Sequence, residues 1–408
     1  MKINIINEQS GNNISKKLKI KNISINSKTI KKDDVFFAIK GKKVNGNKFI
    51  SEAFKKKASL AIVNKLNKDY FLSKQIKVKD TLNFLIECSR IYRKNLNTKI
   101  IAITGSCGKT TLKELLGNSL KKFSKVSISP KSYNNHYGVP LSLFNINKND
   151  DFGVLEAGMD KKGEIDYLSK IIQPNISVIT NINYAHIKNF KNIKQIALAK
   201  SEIINNTKSN GFVVLNADDN FFKLHQKIAN KKKIKVISFG IKNQKSNIKF
   251  LNLKKEGKFF QLNCKIFDQK KIFLVSNNFV SNIYNILSSI SVMSVYIDVL
   301  ELNKNIFLNF ELPKGRGDIS KIKIKNKRIN LIDESYNSNP LSLKSAILNY
   351  NKIIKKKSKS FLLLGDMLEL GSYSQKLHKS IAPLINKTKV DKVFVKGKDV
   401  ISIFNNLS

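Results

Sequence analysis

The stretch KIIAITGSCGKTTLKELL, residues 99–116, narrows the folds open to this chain more than any other. An apolar run ends at Thr104, a loop with two glycines, a lysine and two threonines follows over Gly105–Thr111, and helical spacing begins at once. Strand, glycine loop and helix in that order are what a phosphate-binding turn requires. Glycine lets the backbone approach oxygen atoms closely and take positive φ, and amides at a helix start point at an anion. Lys109 is placed to neutralise β- and γ-phosphate charge, and the Thr110 hydroxyl to ligate Mg²⁺. The spacing is not the standard Walker form, which wants a glycine where Ile103 stands. It is a shorter loop, with Gly105, Ser106, Cys107, Gly108, Lys109, Thr110 and Thr111 as candidate nucleotide contacts. The bland alternative, a glycine-rich turn before a helix, does not account for Lys-Thr-Thr.

The surrounding pattern sets the fold class. KIIAIT, FGVLEAG, ISVITNI, GFVVLNAD and IKVISFG are short apolar strands, mostly separated by helix-length segments. This predicts a mainly parallel sheet with helices on both faces. Residues 246–276 read as antiparallel hairpins. Before residue 99, DVFFAIKG and SLAIV read as strands flanking an amphipathic helix, KFISEAFKKKA. After LPKGRGD the alternation returns: RINLID, SFLLLGD and DKVFVKG as strands, PLSLKSAILNYNKII as a helix. With 408 residues, three α/β domains are expected: 1–98, 99–310 and 311–408.

Composition excludes several classes. The three cysteines form no C-x-x-C pair, which argues against a disulfide framework or a zinc site and for a reducing compartment. The N-terminus has no apolar stretch of signal-peptide type, and no apolar run is long enough to span a bilayer. A cytoplasmic protein without membrane insertion is expected. The net charge of +46 raises the question of nucleic acid. Clusters such as Lys55–Lys57, Lys231–Lys233 and Lys355–Lys357 are scattered, and no aromatic interleaving supports base stacking. The charge therefore reads as solvated lysine faces, and no nucleic-acid partner is expected.

Single residues beyond the loop are ambiguous by themselves. Glu156 ends an apolar strand, either as a Mg²⁺-facing carboxylate or as a surface glutamate. His186 is one of four histidines and, taken alone, is more readily structural. Lys200 lies on a helix whose apolar face is marked by Ile193, Ile196, Ala197, Ile203 and Ile204, so on spacing it is an ordinary solvated lysine. Asp366 and Glu369 of GDMLELG are either an ammonium-facing pair or helix-start carboxylates.

Taken in order, TGSCGKTT, YNNHYGVPLSL, VLEAG, TNI, AHI, AKSEI, GRGD, DESYNSNP and GDMLELG resemble the Mur ligase family, and within it the MurF type. The resemblance covers nearly the whole chain, with DESYNSNP and GDMLELG its most specific parts. It implies a three-domain architecture: a small N-terminal uridine-nucleotide domain, a central ATP-binding domain and a Rossmann-like C-terminal domain. It also implies an ATP-dependent ligase of peptidoglycan precursor synthesis, joining D-alanyl-D-alanine to UDP-N-acetylmuramoyl-tripeptide through an acyl phosphate, and working as a monomer with ATP and two Mg²⁺ ions. By the same resemblance Lys109 and Thr110 are the phosphate-loop lysine and a Mg²⁺ ligand, Glu156 and His186 are metal ligands, and Lys200 is a carbamylated lysine holding the second Mg²⁺. Asn282 corresponds to an adenine contact, Arg316 to a phosphate-reaching arginine, and Asp333, Tyr336 and Asn337 to a nucleotide-facing loop. Gly315 and Gly317 fit a hinge beside Arg316. Ser27, Lys28, Asn45, Gly46, Asn134 and Asn135 fall at substrate-facing positions.

Departures from the family pattern are local. Its uridine-site Asp-Ser-Arg is Asn26-Ser27-Lys28 here, its Asp-Gly-His is Asn45-Gly46-Asn47, and its His-Asn is Asn278-Phe279. Lysine lacks the planar fork of arginine, so the diphosphate contact is expected to be looser. The chain ends at Ser408, before a strand and helix usual in the family, so a shortened C-terminal domain or an incomplete sequence is expected. The rival readings are a related muramoyl-peptide or folylpolyglutamate-type ligase, which DESYNSNP disfavours, and a nucleic-acid-handling P-loop ATPase.

Overall fold

The computed structural model describes residues 2–15, 18–41, 44–354 and 358–408. Of the lysine clusters named above, Lys355–Lys357 lies outside the described residues. The chain divides into two compact units, one made of residues 1–100, 124–157 and 167–173, the other of 101–123, 158–166 and 174–408.

In the first unit, strands Ile23–Ser24, Val35–Phe37, Leu60–Val63 and Gln75–Lys77 pair in that order, all parallel. Both strands in the middle are buried on both faces, as a continuous apolar run predicts. Ile30, Phe36, Ala38, Ile50, Ala53, Ala61 and Val63 share one core. The helix anticipated from KFISEAFKKKA divides into a 3₁₀ turn, Gly46–Phe49, and a helix, Ile50–Lys55. Helix Thr81–Lys94 starts on Asp80, whose carboxylate accepts the Leu82 and Asn83 amides at 2.8 Å. The buried Arg93 at its far end donates Nε to Ile172 O at 2.7 Å and Nη2 to Gln173 O at 2.9 Å. Strand Phe152–Glu156, fully buried, runs parallel to Val126–Ile128.

In the second unit, which holds strand Lys99–Thr104 from Ile101 on, that strand and strands Ile176–Ile179, Phe212–Asn216, Lys235–Gly240 and Ile248–Glu256 follow one another in the sheet with parallel pairing. Ile248–Glu256 then pairs antiparallel with Phe259–Ile266, and that strand with Gln269–Val275, as the reading of 246–276 anticipates. Helices Lys109–Leu120 and Val280–Met293 pack together, and each buries apolar residues, Leu112, Leu115 and Leu116 on the first and Ile283, Ile286, Leu287 and Ile290 on the second. The α/β class with parallel sheets read from the sequence is therefore the class observed.

The region after residue 311 shows one difference. RINLID is a strand, Lys327–Asp333, but its partner is the antiparallel strand Asp318–Ile324, where the sequence reading names none. That partner leaves Ile319 and Ile324 60% and 53% exposed, so no buried face marks it in the pattern. Strands Phe361–Gly365 and Lys392–Lys396 pair in parallel, and helix Pro340–Ile353 precedes them. Among the described residues no helix is long and apolar enough to cross a membrane.

A phosphate loop and its surroundings

The loop Gly105–Gly108 is shaped by its neighbours in the second unit. Gly105 has φ +144°, and a Cβ there would sit 1.9 Å from the Thr180 hydroxyl oxygen. Gly108 takes the left-handed conformation at φ +81° and begins helix Lys109–Leu120 with no side-chain cap. A helix start without a capping side chain leaves its positive end to an anion. The segment after strand Ile176–Ile179 anchors the loop. Thr180 Oγ1 donates to Cys107 O at 2.6 Å, and Asn181 Oδ1 accepts the Cys107 amide at 3.0 Å. Ser106 Oγ donates to Asn183 O at 3.0 Å and accepts the Asn183 amide at 2.8 Å. Sequence reasoning missed Thr180, Asn181 and Asn183 as loop supports. Their only signal was a polar TNIN run at the carboxyl end of a strand.

Lys109 reaches back to Gly105 O at 2.9 Å, curling its ammonium over the loop. Thr110 is buried, with 5% exposure. Lys200, on helix Ile193–Asn205, is 1% exposed. The solvated-lysine alternative is thus wrong: periodicity places a side chain on a helix face but not what covers that face. Burial, and next the charge of Lys109, hold the Lys200 amine well below the usual lysine range, against an opposing effect of Cys107. A buried amine of lowered basicity is a nucleophilic one.

His186 sits at φ +58°, in the left-handed region, with Nδ1 buried. Nδ1 faces Glu369 Oε2 in close contact and Asp160 Oδ1 at 3.1 Å. Burial lowers its basicity, with Lys200 and Lys109 adding to that, and Glu369 and Asp160 opposing. Of the two GDMLELG carboxylates, then, Glu369 faces an imidazole. Asp366 accepts the Lys398, Asp399 and Val400 amides at 2.7–3.0 Å, just ahead of helix Ile401–Phe404. The helix-start alternative holds for Asp366, while Glu369 Oε1 lies 3.2 Å from the Lys188 ammonium.

The DESYNSNP loop meets the phosphate loop at Cys107. Asn339 Oδ1 caps helix Pro340–Ile353 by accepting the Leu341 and Ser342 amides at 3.1 Å each. That fixes its Nδ2 toward the Cys107 sulfur, 3.0 Å away. The guanidinium of Arg316 stacks on the Tyr336 ring, 4.2 Å from its centroid. Its neighbours Gly315 and Gly317 have φ of +73° and +94°. Asp333 accepts the Ser335 amide at 2.9 Å, and hydrogen bonding from Ser335 holds its carboxyl below the usual range. Tyr336 and Asn337 are exposed. Asn282 is buried, its Nδ2 donates to Asn277 at 3.3 Å, and its buried Oδ1 has no hydrogen-bond partner among the described residues. An orphaned buried acceptor of this kind suits an amino group of a ligand.

The remaining candidates lie in the first unit. Glu156 is fully buried at its strand end, so the surface-glutamate alternative falls. Asn134 donates to its Oε2 at 3.3 Å. Asn135 is committed to local structure, accepting the Tyr137 and Gly138 amides at 3.1 and 2.9 Å. Ser27 is buried and donates to Glu52 at 2.8 Å, while Lys28 is exposed. Asn45 caps the turn that follows, and Gly46 is required there because a Cβ would lie 2.6 Å from the Ala38 backbone.

Comparison with known proteins gives these features a lineage. Residues 19–93 match a model described as the Mur ligase family, catalytic domain, and residues 103–293 match the Mur ligase middle domain. The UDP-N-acetylmuramoyl-tripeptide–D-alanyl-D-alanine ligase of Rickettsia prowazekii (strain Madrid E) is 33% identical over 390 residues, 95% of this chain and 85% of that protein. The chain belongs to the Mur ligase family. Among solved structures, this Mur ligase is similar to MurF from Acinetobacter baumannii at TM-score 0.85 and 24% identity, over 99% of this chain and 87% of that one. That likeness is one of fold. MurF ligase from Thermotoga maritima, solved in complex with ADP, is similar at TM-score 0.80 and 26% identity, over 95% and 87% of the two chains.

Proposed function

We propose that this Mur ligase is the ATP-dependent enzyme that joins D-alanyl-D-alanine to UDP-N-acetylmuramoyl-tripeptide in peptidoglycan precursor synthesis, releasing ADP and phosphate. The observation that carries the reading is the phosphate loop with Asn339 of the DESYNSNP loop seated on Cys107, in a chain 33% identical to a ligase of that name. A carboxylate is a poor electrophile, so the terminal carboxylate oxygen of the tripeptide attacks the γ-phosphorus and the bond to the ADP oxygen breaks. The amine of D-alanyl-D-alanine then attacks the acyl carbon, the tetrahedral intermediate expels phosphate, and the amine loses a proton.

The residues have distinct tasks in this reading. The Gly105–Thr111 backbone and Lys109 hold the β- and γ-phosphates and oppose the charge that builds on transfer. Asn282 offers its buried carbonyl to the adenine amino group. Arg316, Asp333, Tyr336 and Asn337 face the nucleotide from the C-terminal domain, with Gly315 and Gly317 as the hinge. Ser27, Lys28, Asn45, Gly46, Asn134 and Asn135 belong to the UDP-peptide side. The domains run 1–98, 99–310 and 311–408.

The donor chemistry fits two Mg²⁺ ions. In the second unit Thr110 offers a buried hydroxyl, and in the first Glu156 a buried carboxylate, each taken by itself a hard oxygen donor of the kind Mg²⁺ prefers. The buried Lys200 amine, of lowered basicity, suits carbamate formation with CO₂, which turns it into an oxygen donor beside His186. When bound, Mg²⁺ offsets phosphate charge. The three cysteines are free, and ATP and a UDP-sugar substrate place the work in the cytoplasm. In this reading the enzyme works as a monomer.

The deciding experiment is mass analysis of the product from ATP, UDP-N-acetylmuramoyl-tripeptide and D-alanyl-D-alanine, with diaminopimelate, lysine and glutamate as competing amines. A product with the dipeptide added is expected. Preference for a single amino acid would overturn the reading.

A further inference from the structure

Helix Val280–Met293 carries two asparagines one turn apart, Asn282 and Asn285, both nine-tenths buried at 8% and 9% exposure. Residues three apart on a helix are surface neighbours, with Cβ atoms about 5–6 Å apart. The helix packs against Lys109–Leu120, and the Asn285 side chain meets the phosphate loop itself. Its Oδ1 is 3.3 Å from where a Cβ on Gly108 would stand. The roll of the helix is fixed from another face. Tyr284 donates its hydroxyl to Asp218 Oδ2 at 2.8 Å, and Asp218 in turn accepts the Ile241, Lys242 and Asn243 amides at 2.6–3.0 Å.

Both side chains have unspent hydrogen-bonding capacity. Asn277 Oδ1 accepts Asn282 Nδ2 at 3.3 Å and the Phe279 amide at 3.1 Å, which leaves the orphaned Asn282 Oδ1 as the free acceptor. The Asn285 side chain makes no hydrogen bond among the described residues. With Oδ1 turned to the loop, Nδ2 is the donor left over. Helix packing alone gives no reason for an unpaired amide at this place, where an apolar residue costs less. A buried polar group without a partner calls for one from outside the chain.

We propose that Asn285 is a further nucleotide-reading residue, whose Nδ2 donates to N7 of adenine while Asn282 Oδ1 accepts from the amino group beside it. An acceptor next to a donor complements the N6–N7 edge of adenine. Guanine shows two acceptors there, O6 and N7, and would set O6 against the Asn282 oxygen. Position selects N7 over N1: Asn285 stands at the phosphate loop, and the imidazole side of a purine is the side bonded to the ribose. The role deepens the nucleotide assignment of the function proposed above and rests on it.

The test is calorimetric binding to the full chain, with Mg²⁺ present, of three probes: ADP, 7-deaza-ADP, in which N7 is a C–H, and tripolyphosphate, which has no base. Wild type should prefer ADP to 7-deaza-ADP by about threefold to tenfold, the value of one neutral hydrogen bond. Asn285→Ala should bind ADP more weakly by that factor, treat the two nucleotides alike, and hold tripolyphosphate as wild type does. Asn285→Asp keeps the shape without the donor and should lose the same preference, which separates the missing donor from a cavity left by alanine. A wild type that binds ADP and 7-deaza-ADP alike, or an Asn285→Ala protein that keeps the preference, overturns the proposal. So does a loss in Asn285→Ala shared by tripolyphosphate, which would put Asn285 on the phosphates. Each of these leaves the nucleotide reading standing. Failure of wild type to bind either ADP or tripolyphosphate removes that reading and this proposal with it.

Discussion

Lys109 and Lys200 are both lysines in the same unit, yet their surroundings give them opposite chemistry. Lys109 is only partly buried and folds over the phosphate loop toward Gly105 O. Lys109→Ala should cut product formation at least a hundredfold, on the order of what one charge-stabilising donor contributes, with the thermal midpoint unchanged. Retained activity would remove the loop assignment. Lys200 is deeply buried and its amine is of lowered basicity. Lys200→Ala should be inactive and partly rescued by millimolar acetate or formate, which replaces the carbamate oxygens; a fully active variant would exclude the carbamate. The sequence placed Lys200 on a helix but could not distinguish it from other lysines, because burial depends on residues distant in the chain.

At the scale of elements, helix Pro340–Ile353 links fold and site. Asn339 caps it, and Ser342 reciprocates by accepting the Asn339 amide at 3.0 Å. The Asn339 side-chain amide, through Nδ2, also donates to the Cys107 sulfur. Asn339→Ala should therefore lower stability by about 1 kcal/mol, the ordinary value of a lost cap, and also raise the rate at which Cys107 reacts with a thiol reagent. A stability loss with unchanged thiol reactivity would mean that the contact to the loop does not shield it. The sequence reading placed the helix but did not single out Asn339 as its cap. Nor could it show the contact with Cys107, since Cys107 and Asn339 are far apart in sequence. The strand Asp318–Ile324 escaped notice for a related reason: pairing with Lys327–Asp333 creates it, not a buried face of its own.

At the scale of the whole molecule, buried titratable groups set the response to acid. His225 is 2% exposed, and its Nε2 lies 3.1 Å from Ala197 O. Burial pushes its pKa down to about 4, against the smaller upward effect of the Ala197 carbonyl. An imidazole that binds its proton more readily when unfolded draws the equilibrium toward the unfolded state in acid. Its contribution is thus complete above the unfolded value of about 6.5 and is lost as pH falls toward 4, up to about 3 kcal/mol. Urea titrations across that window should show the slope, and His225→Gln, which keeps a donor but not the titration, should flatten it. An unchanged slope would assign acid sensitivity elsewhere. The chain by itself settled the α/β class, the phosphate loop and the family resemblance, because strand and helix periods and a glycine-lysine-threonine motif are local properties of covalent order. Only the tertiary structure decided that Lys200 and Glu156 are buried, that Thr180, Asn181 and Asn183 brace the loop, and that Glu369 faces His186. Each of these depends on which distant segment excludes water from a side chain, and spacing along one strand or helix carries no record of that.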